Sequence, residues 1–220
     1  MTRLGLHSPA TNSGAITVPW LRDRLAVLVF SIPSRVDMRV SPLLGRRVAL
    51  TPLEGVDARE LYAAVESSRA FLEPWLPWVP FVTEQESSFR YAETSALDWD
   101  QGRACRFSIR ERTTQSFLGV VGLEMLQHVH LNCDLGYWLR QEAHRQGFMT
   151  EACDVLLAWV FSRLGAHRVR VAAATDNHAS LGVIRKLGFR FEGIAREAEY
   201  CRGRWLDHAS FGMLERERRL

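Results

Sequence analysis

Two periods of hydrophobic and polar positions run along this chain. Leu131, Cys133, Leu135, Tyr137 and Leu139 fall at every second position, the alternation of a strand with one buried face. Ala152, Val155, Leu156, Trp159 and Val160 recur at i, i+3, i+4, i+7 and i+8, the stripe of an amphipathic helix, and Gly165 stands where it should stop. Shorter apolar runs predict further strands over 46–53, 105–111, 117–126, 167–175, 190–200 and 205–214. Residues 57–68 predict a helix with Asp57 as N-cap and Leu61, Ala64 and Val65 on its inner face. An amphipathic run over 83–102 predicts another helix. A fourth, short helix covers 177–187, capped by Asp176 or Asn177, with Val183, Ile184 and Leu187 inward and Gly188 at its stop. Three prolines break residues 71–80 into a loop carrying Trp75 and Trp78. Gly136, inside its strand, predicts a bulge or a close backbone approach. Antiparallel strands, then strand–helix–strand–helix, then strands make a single α/β domain with a mixed sheet.

The first 37 residues break this order. They are rich in Ser, Thr, Gly and Pro, have no clear period, and are expected to be a disordered extension ahead of a domain at 38–220. Met38 is an alternative start of translation. The apolar run Leu25 to Ile32 is far short of the ~20 residues that span a bilayer, so no membrane partner is expected. Hydrophobic residues are 47% and charged residues 24%, ordinary for a globular chain. The net charge is +3, of which the first 37 residues hold +2; the domain therefore lacks the basicity that nucleic acid demands. Cys105, Cys133, Cys153 and Cys201 form no CxxC pair, which fits reduced thiols in the cytoplasm. His128, His130 and Cys133 are metal-like in type, but their spacing divides them between two strand faces, and no metal is expected.

The candidate chemistry sits where the alternating strand turns into the striped helix. "AHRQGFMT" is a polar turn with Gly147 at a helix mouth. Such a mouth offers unpaired N–H groups and roughly half a positive charge, glycine lets an anion approach, and His144 and Arg145 add positive potential. The alternative is a plain helix-start glycine. A Walker loop and a GxGxxG fingerprint are both missing.

"GYWLRQEAHRQGFMTEA" followed by "DNHASLGVIRKLGFRFEG" resembles the GNAT acyl-CoA-dependent N-acyltransferases, and within them the RimJ/RimL branch of ribosomal-protein N-terminal acetyltransferases. "FLEPWLPWV" resembles a Trp-rich segment of the same branch. The resemblance runs from about Val48 to the C-terminus. It implies a GNAT fold with two splayed central parallel strands, here "LNCDLGYWLR" and "HRVRVAAAT". It also implies acetyl-CoA as donor and a primary amine as acceptor, either a protein N-terminus or a small molecule. The cradle for the coenzyme A diphosphate is then His144, Arg145, Gln146, Gly147, Phe148 and Met149, continued by Thr150. His144 and Met149 depart from the general family turn. Pantetheine would pair with main chain near Trp138, Leu139 and Arg140. Ser180 would protonate the leaving thiolate, or else only satisfy helix-start N–H groups; Asn177 would bind coenzyme A or cap the helix. Glu199 is the implied base, Glu124 a second choice, and Trp75 and Trp78 would wall the acceptor site. The remaining alternatives are a succinyl-CoA-type donor paired by Arg202 or Arg204 and a non-catalytic acyl-CoA-binding module. A homodimer is a further expectation.

Overall fold

The computed structural model describes residues 29–218. The elements are α1 (Arg35–Val40), β1 (Leu43–Leu44), β2 (Val48–Pro52), α2 (Ala58–Leu72), α3 (Gln85–Asp100), β3 (Cys105–Glu111), β4 (Phe117–Gln127), β5 (Asn132–Leu139), α4 (Phe148–Trp159), β6 (Arg168–Ala174), α5 (His178–Lys186), β7 (Arg190–Cys201) and β8 (Arg204–Leu214). The strands form one sheet in the order β1-β2-β3-β4-β5-β6-β8-β7. Every neighbouring pair is antiparallel except β5 and β6.

The period-two pattern of β5 sends Cys133, Leu135 and Leu139 into the main core with α4, whose Ala152, Leu156 and Val160 are fully buried. Trp138 points the opposite way, into a second cluster with Leu61, Ala64 and Val65 of α2. The sheet is thus covered on both faces, and β5 is buried from both sides. α4 ends in a π turn, Val160–Leu164, closed by Gly165 at φ 82°.

One feature of the sheet creates the site. β5 and β6 pair only over Asn132–Asp134 with Arg168–Arg170. Beyond that point β5 follows β4 to Leu139 while β6 follows β8 to Ala174, so the two parallel strands part. The bulge expected at Gly136 is not there: Gly136 pairs in register with Gly122. The irregularity lies on β4 between Glu124 and Gln127, where Met125 takes φ 50°.

The ordered body begins before Met38, which falls inside α1. Phe30 is buried in the main core, and the Trp99 indole donates to the Pro33 carbonyl at 2.9 Å. The sequence boundary failed because a single buried aromatic has no period to betray it. The rest of the expected extension, 1–28, lies outside the described residues. His128 and His130 occupy the turn between β4 and β5 rather than a strand, and the His128 ring bonds the Gly102 carbonyl at 2.8 Å. No helix among the described residues is long and apolar enough to cross a membrane.

Candidate active site

Where β5 and β6 part, a cavity of about 760 Å³ opens, lined by the end of α2, β5, the turn into α4, the end of β6, the start of α5, Glu199 and His208. At its α4 end the chain makes a left-handed turn, with Arg145 at φ 61° and Gly147 at φ 82°. The first helical bond runs from Glu151 N–H to Gly147 C=O. The N–H groups of residues 145–150 donate to nothing among the described residues, and all of these residues except Gln146 line the cavity, at the positive end of α4. The exposed side chains of Arg145 and Lys186 border the cavity. Arg47 braces this turn from the β2 side. Its N–H and Nε donate to the Glu151 carboxylate at 2.6 and 2.9 Å, its Nη1 to the Gln146 carbonyl at 2.9 Å, and its guanidinium lies 4.7 Å from the Phe148 ring centre.

Two cradle side chains turn away. His144 bonds the Leu139 carbonyl through Nε2 at 3.1 Å and packs edge-on against Phe71, and the Gln146 amide donates to the Glu142 carbonyl. Both side chains are thus engaged with main-chain carbonyls. Gly147, Phe148, Met149 and Thr150 line the cavity as expected. On β5, the Arg140 N–H donates to Leu118 C=O at 2.8 Å. Main-chain groups alternate in direction along an antiparallel ladder, so Trp138 and Arg140 are committed to β4, while Leu135, Tyr137 and Leu139 face the gap. The edge open to an extended ligand is therefore centred on Tyr137 and Leu139. The Arg140 side chain pairs with Glu142, and the Trp138 ring is buried near Phe117 and Trp78.

At the other end of the cavity, Asn177 caps α5 by accepting the Ser180 N–H at 3.1 Å. The Ser180 Oγ lies 2.9 Å from the Tyr137 hydroxyl. Burial pushes the Tyr137 phenol well above its ordinary pKa, so it stays protonated. Sequence alternation marks Tyr137 only as a core position; its partnership with Ser180, 43 residues away, exists only in the fold. Glu199 also lines the cavity, with its Oε2 3.3 Å from Nε2 of His208, a residue the sequence pattern did not single out.

Four expected residues do not line the cavity: Arg140 and Gln146, bonded as described above, and Glu124 and Trp78. Glu124 forms a bidentate pair with Arg106, both contacts at 2.6 Å, and Arg106 also binds Asp98. That network sits beside the Tyr91 ring, 5.6 Å from the Arg106 guanidinium. Trp78 is stacked on Tyr91 and tilted against Trp138, a packing role. Trp75 does line the cavity, held among Ala174, Cys201 and Leu206 beneath the Arg204 guanidinium.

The sequence and the fold that carry this site have counterparts among known proteins. The model of the acetyltransferase (GNAT) domain matches residues 47–190. "Putative ribosomal N-acetyltransferase YdaF" of Bacillus subtilis (strain 168) is 30% identical over 177 residues, covering 79% of this chain and 94% of its own. The ribosomal-protein-serine acetyltransferase of Escherichia coli is 23% identical over 142 residues, 64% of this chain and 78% of its own. Among solved structures, RimL, the ribosomal L7/L12 alpha-N-protein acetyltransferase in complex with coenzyme A, superposes with a TM-score of 0.76 at 23% identity, over 79% of this chain and 98% of its own. This chain belongs to the GNAT acetyltransferase family and is an N-acetyltransferase by that membership.

Proposed function

We propose that the chain moves the acetyl group of acetyl-CoA directly onto the α-amine of a protein N-terminus. The unpaired amides of residues 145–150 receive the diphosphate, and pantetheine extends along the Tyr137–Leu139 edge as an added strand would. The thioester then lies in the gap between Ser180 and Glu199. Glu199 accepts a proton from the acceptor ammonium, the amine nitrogen attacks the carbonyl carbon, and the C–S bond breaks. The departing thiolate takes a proton from the Ser180 hydroxyl, which the Tyr137 hydroxyl orients, and the second proton shed by the nitrogen as the amide forms returns through solvent to the Ser180 oxygen. The observation that carries the reading is the run of orphaned amides opening onto the same cavity as Ser180 and Glu199. The choice of a peptide acceptor rests on the relatives named for ribosomal proteins. A succinyl-type donor is disfavoured because both candidate arginines are engaged, Arg204 with Asp176 and Arg202 with Glu73.

Thiol release from acetyl-CoA, followed with N-terminal peptides and with small amines, tests this. Turnover at least tenfold better with peptides is expected, together with loss of rate in Glu199→Gln chiefly below about pH 8, where an amine is mostly protonated. Tight acetyl-CoA binding without turnover on any amine would replace the enzyme with a binding module.

A further inference from the structure

We propose that His208 is a second proton carrier of the acceptor site, taking on from Glu199 the proton that the amine sheds. This rests on the reading of Glu199 as the base.

Glu199 and His208 meet because the β7–β8 ladder is deliberately irregular. Ala195 pairs with His208, and Glu199 pairs with Leu206. Between these two pairs β7 spends three residues, 196–198, where β8 spends only Asp207. Glu197 holds the bulge at φ 50°, donating its N–H to Asp207 Oδ1 at 2.8 Å. The bulge brings Glu199 to the position diagonal to His208, within reach of a long side chain. The outcome is the 3.3 Å contact between Glu199 Oε2 and His208 Nε2, with both groups half-buried and both lining the cavity. A structural carboxylate would need no partner that opens to the same gap.

The proton path balances. The ammonium gives one proton to the Glu199 carboxylate, which frees the nitrogen lone pair for attack, and the second N–H proton leaves through solvent as the tetrahedral intermediate collapses to the amide. The Glu199 O–H passes it to the lone pair of His208 Nε2, and the imidazolium so formed releases its Nδ1 proton to water. Imidazole suits this step because one ring nitrogen can accept a proton while the other gives one up. Among the other charged groups nearby, Asp207 accepts the Glu197 N–H, Asp176 pairs with Arg204 and Glu73 pairs with Arg202, while the exposed Arg145 and Lys186 border the same cavity. Of the other imidazoles lining the cavity, His144 is tied to the Leu139 carbonyl, and His178, at the first turn of α5, serves as a control.

The test is the pH dependence of turnover at saturating acetyl-CoA with an N-terminal peptide acceptor, for wild type, His208→Gln, His178→Gln and Glu199→Gln. Gln keeps a nitrogen near the Nε2 position but cannot titrate. Wild type is expected to lose activity in acid with the steepness of two protons. His208→Gln is expected to fall about tenfold with the KM for acetyl-CoA unchanged and to keep only one proton of steepness; His178→Gln is expected to match wild type. An impaired Glu199→Gln beside a His208→Gln that overlays wild type in rate and steepness would overturn the role of His208 alone. An unimpaired Glu199→Gln would overturn the base assignment and this inference with it. Should His208→Gln not fold, a wild-type acid limb of a single proton would overturn the proposal by itself.

Discussion

Glu151 is the residue through which the helix-mouth cradle is tied to the rest of the domain, and its removal has a calculable effect. Its carboxylate receives two bonds from Arg47, at 2.6 and 2.9 Å, and sits in the first turn of α4. A hydrogen bond to a charged group contributes about 1.5–3 kcal/mol, and a carboxylate at a helix N-terminus about 0.3–1 kcal/mol. The Arg47 side chain is 36% exposed and that of Glu151 is 18% exposed, so solvent screening takes a share of this. Glu151→Ala should therefore lower the unfolding free energy by about 2–3 kcal/mol, or roughly 5–10 °C in Tm for a domain of this size. Arg47 would also lose its anchor while still reaching for the Gln146 carbonyl, loosening the turn that presents the amides. If a third of the loss appears in binding, coenzyme A affinity falls about three- to fivefold, since 1.4 kcal/mol is tenfold. Urea unfolding and calorimetric titration with coenzyme A measure the two effects. A change under 0.5 kcal/mol with unaltered affinity would show that the clamp does not hold the cradle. The same pair sets a pH signature. Burial disfavours the charged carboxylate, but bonds from Arg47, helped by the Val48 N–H, outweigh it and hold Glu151 below its usual 4.5. A carboxyl with a lowered folded pKa contributes stability that is complete above about pH 4.5 and lost as pH falls through the lowered value. Wild type should thus lose more stability than Glu151→Gln below pH 4.5.

Three further expectations follow from the structure. Tyr137→Phe should lower kcat about fivefold with little change in the acetyl-CoA KM, and adding it to Ser180→Ala should cost nothing more; additive losses in the double variant would separate the two hydroxyls. A chain begun at Met38 loses buried Phe30, the Trp99–Pro33 bond and the Arg35 pairs to Glu54 and Asp100, so urea denaturation should show a loss of at least about 3 kcal/mol; equal stability would remove residues 29–37 from the body. Glu124→Gln should cost about 1–3 kcal/mol by leaving Arg106 underpaired while kcat stays within twofold, and a large kcat loss would restore Glu124 to the chemistry.

The elements were readable wherever one period ruled a segment. β5 and α4 emerge nearly whole from their apolar spacing because each has a face buried along its full length. α2 runs four residues past the expected Ser68, since Arg69 to Leu72 still helps to bury its stripe before Pro74 ends it. The site divides along a physical line. The cradle is local, made by a few consecutive residues in a left-handed turn, so Gly147 betrays it in the sequence. The partners of each reacting group are not local: Tyr137 meets Ser180, and His208 meets Glu199, across separate strands and a bulge. Trp75 and Trp78 lie three residues apart in one proline-broken loop and look alike in sequence, yet one lines the cavity and the other packs under it. Glu124 misleads for the same reason. Its strand position was foreseeable, but its capture by Arg106 on the neighbouring strand was not.

The most direct measurement is a crystal structure of the full chain with coenzyme A. The account requires diphosphate oxygens within hydrogen-bond distance of the N–H groups of Arg145 to Thr150, pantetheine paired to the main chain of Tyr137 or Leu139, and the thiol beside Ser180. Coenzyme A bound elsewhere, or a diphosphate held by side chains with those amides still free, would contradict it.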